Sequence, residues 1–114
     1  MSDCLFCKMV AGEIKPDVVS ESEQLLAFRD IAPQAPTHIL IIPKRHIATL
    51  NDLTAEEGEL VGSMILMARQ IAADQGLAER GYRLLFNCNA DGGQAVYHIH
   101  LHLLGGRKLG WPPG

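Results

Sequence analysis

The chain has 114 residues with 13 acidic and 10 basic side chains, and a formal net charge of −3 gives no electrostatic case for binding long nucleic acid or an anionic membrane. At 47% hydrophobic and 20% charged residues its composition is that of an ordinary globular protein, one domain over residues 1–114 whose core an oligomer would help to bury. The longest apolar run, around Ile39 to Ile42, is broken by Pro43-Lys44-Arg45, so neither a signal peptide nor a membrane span is expected. Three cysteines, an odd number, suit a reducing cytoplasmic setting better than a disulfide framework.

Leu5 to Ala11 reads as a short helix ending near Gly12, with Pro16 forbidding its continuation. Val18 to Glu21 and Leu25 to Asp30 read as strands meeting in a tight turn, Phe28 facing inward. His38 to Ile42 is a β-branched strand closed by Pro43. Thr54-Ala55-Glu56-Glu57 fits a capping box, and Leu60, Met64, Met67, Ala68 and Ile71 then recur at helical spacing until Gly76. This is the one long helix, and its apolar stripe reads as core rather than as a cofactor site. Tyr82 to Asn87 and Val96 to Leu104 complete five strands, while Cys88 reads as a small apolar packing residue. The expected architecture is α+β, a sheet with one face covered by the long helix.

The loop Asn89 to Gln94 has two readings. It is either a plain hairpin connection or an anion cradle, in which the Gly92 and Gly93 amides and the Gln94 side chain donate to phosphate oxygens. The neighbouring histidines favour the second. In Val96-Tyr97-His98-Ile99-His100-Leu101-His102-Leu103-Leu104, three imidazoles alternate with apolar residues, so an extended chain places all three on one face and Ile99, Leu101 and Leu103 on the other. A half-buried strand carrying three rings must satisfy each or lose about 1–3 kcal/mol apiece. The array points to metal coordination or to nucleophilic or acid–base chemistry on an anion. His38 and His46 alone would be ordinary core or surface residues, and Asp30 an ordinary turn or N-cap residue. No Walker-type loop and no carboxylate cluster is present, and no catalytic metal is expected.

The stretch His98-Ile99-His100-Leu101-His102-Leu103-Leu104 resembles the signature of the histidine triad superfamily. Asp91-Gly92-Gly93-Gln94, the segment Asp30 to His38 and the tail Trp111-Pro112-Pro113-Gly114 are similar to its Hint-type branch, in the same order and at compatible spacing over nearly the whole chain. The resemblance implies a five-stranded antiparallel sheet continued across a homodimer, and hydrolysis of the P–N bond of adenosine 5′-phosphoramidates and of acyl-adenylates. By position, His100 is the nucleophile. Asp30 holds the ribose, and Leu5, Phe6, Met9, Phe28, Ile31 and Leu40 wall a purine base. Asn87, Gly93, Gln94, Ala95 and His102 surround the α-phosphate, with His38 behind the triad in a proton relay. In relatives the tail crosses the dimer, so Trp111 would shape leaving-group selectivity. Ala95 departs from the branch, which often carries a side-chain oxygen there, so leaving-group protonation would rest on His102 or water and turnover would be slower.

Cys4, Cys7, His46 and His98 supply two thiolates and two imidazoles, a set suited to tetrahedral zinc and placed as in zinc-bearing relatives. The competing reading is a pair of reduced, unliganded cysteines under the sheet. With zinc bound, His98 would anchor the segment presenting His100 rather than move protons. Two other functions stay open: a nucleotide-binding module acting through partner proteins, and a dinucleoside polyphosphate hydrolase, against which the Trp111 tail speaks.

Overall fold

The computed structural model describes residues 3–114. In chain order the elements are α1 (Leu5–Val10), β1 (Val18–Glu21), β2 (Leu25–Arg29), β3 (Thr37–Pro43), α2 (Gly58–Asp74), β4 (Tyr82–Leu85), α3 (Asn89–Gly92) and β5 (Leu101–Gly105). The strands form one antiparallel sheet in the order β1-β2-β3-β5-β4, as the α+β reading requires. Alternation along the strands sorts the side chains. Leu25, Ala27, Ile39, Ile41, Ile99, Leu101 and Leu103 meet Met64, Ala68, Ile71 and Ala72 of α2 in the main core.

On the opposite face Leu26, Phe28, Leu40 and Ile42 pack with Phe6 of α1 in a second cluster. The expectation of a single covered face is corrected here: β2 and β3 are apolar on both sides, and α1 buries part of the second.

Thr54 caps as expected, with Glu57 reaching back to its N–H at 2.6 Å, but the box opens a 3₁₀ turn, Ala55–Glu57, and α2 starts only at Gly58. A second capped turn, Thr49 with Leu50–Asp52, escaped the sequence reading. Gly76 ends the helix at φ +77°, where a residue without Cβ is favoured.

Two strand limits and one loop differ from expectation. The β3–β5 ladder runs from Thr37↔Gly105 to Ile41↔Leu101, so Val96 to His100 is not part of it. There the chain bonds elsewhere: Ile99 N–H donates to the Ile47 carbonyl at 2.8 Å, and His98 Nε2 lies 2.7 Å from the Pro43 carbonyl. Pro43 has no N–H to continue a ladder. β4 likewise stops at Leu85, and the Asn89 to Gln94 segment is no hairpin but the single turn α3, closed by Gly93 at φ +83°.

Candidate active site and metal cluster

The facing predicted from alternation survives the loss of strand. Ile99, Leu101 and Leu103 lie in the α2 core, while the three imidazoles lie toward α1, where the Phe6 ring stands edge-on to His98 and His100 at centroid distances of 5.8 and 5.1 Å. His98 and His100 are buried and His102 half-buried.

Hydrogen-bond geometry fixes the protons on these rings. His100 Nδ1 lies 2.8 Å from the His98 carbonyl, which only accepts, so Nδ1 carries the proton and Nε2 presents a lone pair. Gln34 N–H donates to His38 Nδ1 at 3.0 Å, so the His38 proton sits on Nε2. That nitrogen is 2.9 Å from His102 Nδ1 and 3.4 Å from Asp30 Oδ2. His102 Nδ1 therefore accepts, and the His102 proton is forced onto Nε2. This atom is the buried side-chain polar atom that lacks a partner among the described residues. An orphaned donor costs about 1–3 kcal/mol. Its place beside the His100 lone pair, the two rings 4.9 Å apart, suits a ligand acceptor.

Burial, the largest influence, holds the basicity of His38, His98 and His100 below the ordinary imidazole value. Burial and then the neighbouring His100 and His38 push His102 down to about 4. At neutral pH the row is uncharged, which a nitrogen nucleophile requires.

Asp30 serves two purposes at once. Oδ1 accepts from Ala32 N–H at 2.8 Å in the turn that its bland reading anticipates, and Oδ2 faces His38. The six expected base walls divide: Phe6, Phe28 and Leu40 are packed in the second cluster, Leu5, Met9 and Ile31 are more open, and Ile31 is 96% exposed. Asn87 follows β4 and leads into α3, half-buried. Gln94 differs from its expected role. Its Nε2 donates to the Ala48 and Val96 carbonyls at 2.8 and 3.1 Å and its Oε1 accepts from Asn89 N–H, so the side chain ties the loop and no donor is left for a phosphate. The Gly93 N–H is likewise taken, donating to the Ala90 carbonyl at 3.0 Å. Ala95 borders an open groove of about 400 Å³, with Leu5, Val96 and Tyr97 among its walls.

The second cluster draws together residues far apart in sequence. Cys4 Sγ and Cys7 Sγ lie 3.3 and 3.6 Å from His98 Nδ1, and His46 Nδ1 lies 3.3 Å from both Cys7 Sγ and His98 Nδ1. All four atoms fall within 4.8 Å of one another. Bonds of zinc length to sulfur and nitrogen span a tetrahedron with edges of about 3.3–3.8 Å. His98 Nε2–H is committed to the Pro43 carbonyl, which leaves Nδ1 as a lone pair aimed at the cluster. The donor set fits a metal ion. Asp30, His38 and His102 also converge, but the proton on His38 Nε2 stands where a metal would bind, so this second group is a hydrogen-bond relay.

A sheet of this order with a histidine row on one face and one long helix on the other defines a histidine triad protein, and the comparisons agree. The HIT domain model matches residues 11–109, and the chain belongs to that family. It is 55% identical over 108 residues to the purine nucleoside phosphoramidase of Escherichia coli K12, covering 95% of this chain and 91% of that protein. Among solved structures it resembles a HIT family hydrolase from Legionella pneumophila, with 60% identity, TM-score 0.97 and coverage of 98% and 100%. A histidine triad protein from Clostridium difficile matches at 42% identity, TM-score 0.93 and 96% of each chain. By fold and site the chain is built like the family's hydrolases.

Proposed function

We propose that the chain is a purine nucleoside phosphoramidase that cleaves the P–N bond of adenosine 5′-phosphoramidates, and the corresponding bond of acyl-adenylates, through a nucleotidyl-His100 intermediate. The observation that carries this reading is the proton pattern: a lone pair on His100 Nε2 next to an unpartnered buried N–H on His102. The phosphoramidase name of a relative 55% identical supports the substrate class.

His100 Nε2 attacks phosphorus, a P–Nε2 bond forms and the P–N bond to the leaving amine breaks, the amine nitrogen taking a proton from His102 Nε2–H or from water. Water then attacks phosphorus, the P–Nε2 bond breaks, one water proton replaces the one the amine took while the other stays on the phosphate or passes to solvent, and nucleoside monophosphate leaves with His100 and His102 neutral again. His102 Nε2–H and the Ala95 amide meet charge on the non-bridging oxygens, and Asn87 adds a further donor. Asp30 receives the ribose hydroxyls through Oδ2, and Ile31, Leu5 and Met9 cover the base above Phe6, Phe28 and Leu40. His38 holds the tautomer of His102. The reaction routes no step through a metal.

Cys4, Cys7, His46 and His98 hold a structural zinc ion in this reading, which would draw the Cys7 thiol, raised by burial, to thiolate. A second copy of the chain adds its β4 edge to this one, continuing the sheet, and covers the exposed Ile65 and Leu66 of α2. A reducing cytoplasmic location suits the three free thiols. No helix of the described residues is long and apolar enough to cross a membrane.

Steady-state release of amine from an adenosine 5′-phosphoramidate, with AMP as competitor, tests the assignment. Turnover that falls by about three orders of magnitude or more in His100→Ala, with AMP competing, is expected. AMP binding without turnover in the wild type would replace it with the nucleotide-binding module, and turnover confined to dinucleoside polyphosphates with the polyphosphate hydrolase.

A further inference from the structure

The orientation of the relay depends on one backbone N–H, that of Gln34, in a loop between Pro33 and Pro36 whose residues are exposed apart from Ala35. Such a loop has no ladder to hold it. Two local bonds of 3.0 Å, Asp30 N–H to the His38 carbonyl and Gln34 Nε2 to the Ala32 carbonyl, close it, and the rest of what holds it comes from the far end of the chain. Because β3 and β5 are antiparallel with Thr37 opposite Gly105, the residues before Thr37 run beside those after Gly105. Gly106 comes next at φ +94°, and a Cβ there would stand 2.8 Å from Pro36 Cβ, so the loop lies directly on the glycine. Arg107 then reaches back: one guanidinium nitrogen donates to the Gln34 carbonyl at 2.9 Å, the other to the Lys108 carbonyl at 3.0 Å. Gln34 is thus gripped from both sides, its carbonyl by Arg107 and its N–H by His38.

We propose that Arg107 is a positioning residue for the relay: by clamping Gln34 it keeps that N–H on His38 Nδ1, and so sets the tautomers that leave His102 Nε2–H facing the site. The sequence of dependence is Arg107 to Gln34, Gln34 to His38, His38 to His102, with no atom of Arg107 among the reacting groups. The gripped carbonyl belongs to the Gln34–Ala35 peptide and the N–H to the Pro33–Gln34 peptide, so the clamp acts through the backbone torsions of Gln34: without it these relax, His38 Nδ1 loses its donor, and His38 takes either tautomer. In the wrong one, Nε2 becomes an acceptor, His102 must place its proton on Nδ1, and the site loses its donor. The same guanidinium grips the start of the tail, whose Gly110 carbonyl accepts from Arg83 at 2.7 Å, so movement of residues 108–114 is felt at His102.

The kinetic part of this inference rests on the phosphoramidase reading; the tautomer part does not. The experiment therefore records both in the full-length protein, using ¹⁵N NMR of the imidazoles for the tautomers and steady-state kinetics with an adenosine phosphoramidate. In Arg107→Ala the His38 and His102 nitrogen shifts are expected to move toward a tautomer mixture, with kcat down about tenfold, the size of one lost hydrogen bond, and KM little changed. Arg107→Lys, which keeps a donor but not the fork, recovers part of both. Gln34→Pro removes the N–H itself and should reproduce the Arg107→Ala shifts; if it does not fold, the two arginine variants decide. Unchanged imidazole shifts in Arg107→Ala, whether or not kcat falls, overturn the inference. Shifted imidazoles in a protein whose wild type has no phosphoramidase activity support the positioning role while removing the proposed reaction.

Discussion

At the scale of single residues, the site works by deciding where protons sit on neutral imidazoles. The His98 carbonyl aims His100, and a backbone N–H two residues beyond Ala32 orients His38 and through it His102. Ala95 is the position where one added atom should matter. Ala95→Ser supplies a hydroxyl beside the phosphate loop, and kcat should rise about two- to tenfold, the value of one hydrogen bond made to the reacting group. An unchanged kcat would show that leaving-group protonation never lacked a donor. The triad was legible in the chain because a period of two is written in residue identities. The Gln34 N–H was not, since a backbone donor looks the same under every side chain. Gln94 was misread for a related reason: an amide beside two glycines suits a phosphate, and only the fold shows its donors taken by Ala48 and Val96.

At the scale of elements, short connections do most of the positioning. The segment after β3 carries His46, and its neighbour Arg45 binds Glu57 at 2.6 Å at the start of α2. Thr54 N–H first, then Arg45 and the Thr54 hydroxyl, hold Glu57 at about 2 against its ordinary 4.5. A carboxylate with a depressed folded pKa stabilises fully above its unfolded value, and the effect fades as pH falls. Glu57→Gln should thus melt below the wild type at pH 7, with the gap narrowing below about pH 4.5 and closing near pH 2. A gap of constant size in thermal melts across that range would assign the loss to packing. For the metal cluster, native untagged protein prepared without chelator should hold about one zinc per subunit, lost in Cys4→Ser together with stability. Less than about a tenth of an equivalent, with Cys4→Ser as stable as wild type, would remove the site. Strand cores and the long helix were readable from periodicity. Their ends were not: β5 starts five residues later than Val96 because Ile47 and Pro43, remote in sequence, take the hydrogen bonds of Ile99 and His98.

At the scale of the whole molecule, β1 and β4 are the two edges of the sheet, and α2, which packs on β3, β5 and β4, exposes the apolar Ile65 and Leu66 at 44% and 54%. A sheet edge and such a surface are both pairing surfaces. Light scattering at micromolar concentration should give a dimer for the wild type and a monomer for Leu66→Glu with unchanged far-ultraviolet circular dichroism. A wild type that is monomeric under these conditions would contradict the continued sheet. The two halves of the molecule also divide the labour. The α2 face supplies most of the apolar core, and the α1 face, where Phe6, Phe28 and Leu40 of the expected base walls pack together, carries both the Cys/His cluster and the histidine row. His98 joins the two sites, its ring in the cluster and its carbonyl on His100.

The central claim is that His100 Nε2 forms a bond to phosphorus. The most direct measurement is intact-mass analysis of enzyme mixed with an adenosine phosphoramidate and quenched within milliseconds in alkaline denaturant, where a phosphorus–imidazole bond survives, followed by peptide mapping. An adenylyl adduct on His100 that forms and decays at rates consistent with turnover, and that His100→Ala lacks, is the predicted result. Turnover with no adduct at any time while product release shows a pre-steady-state burst, or an adduct on another residue, would contradict it.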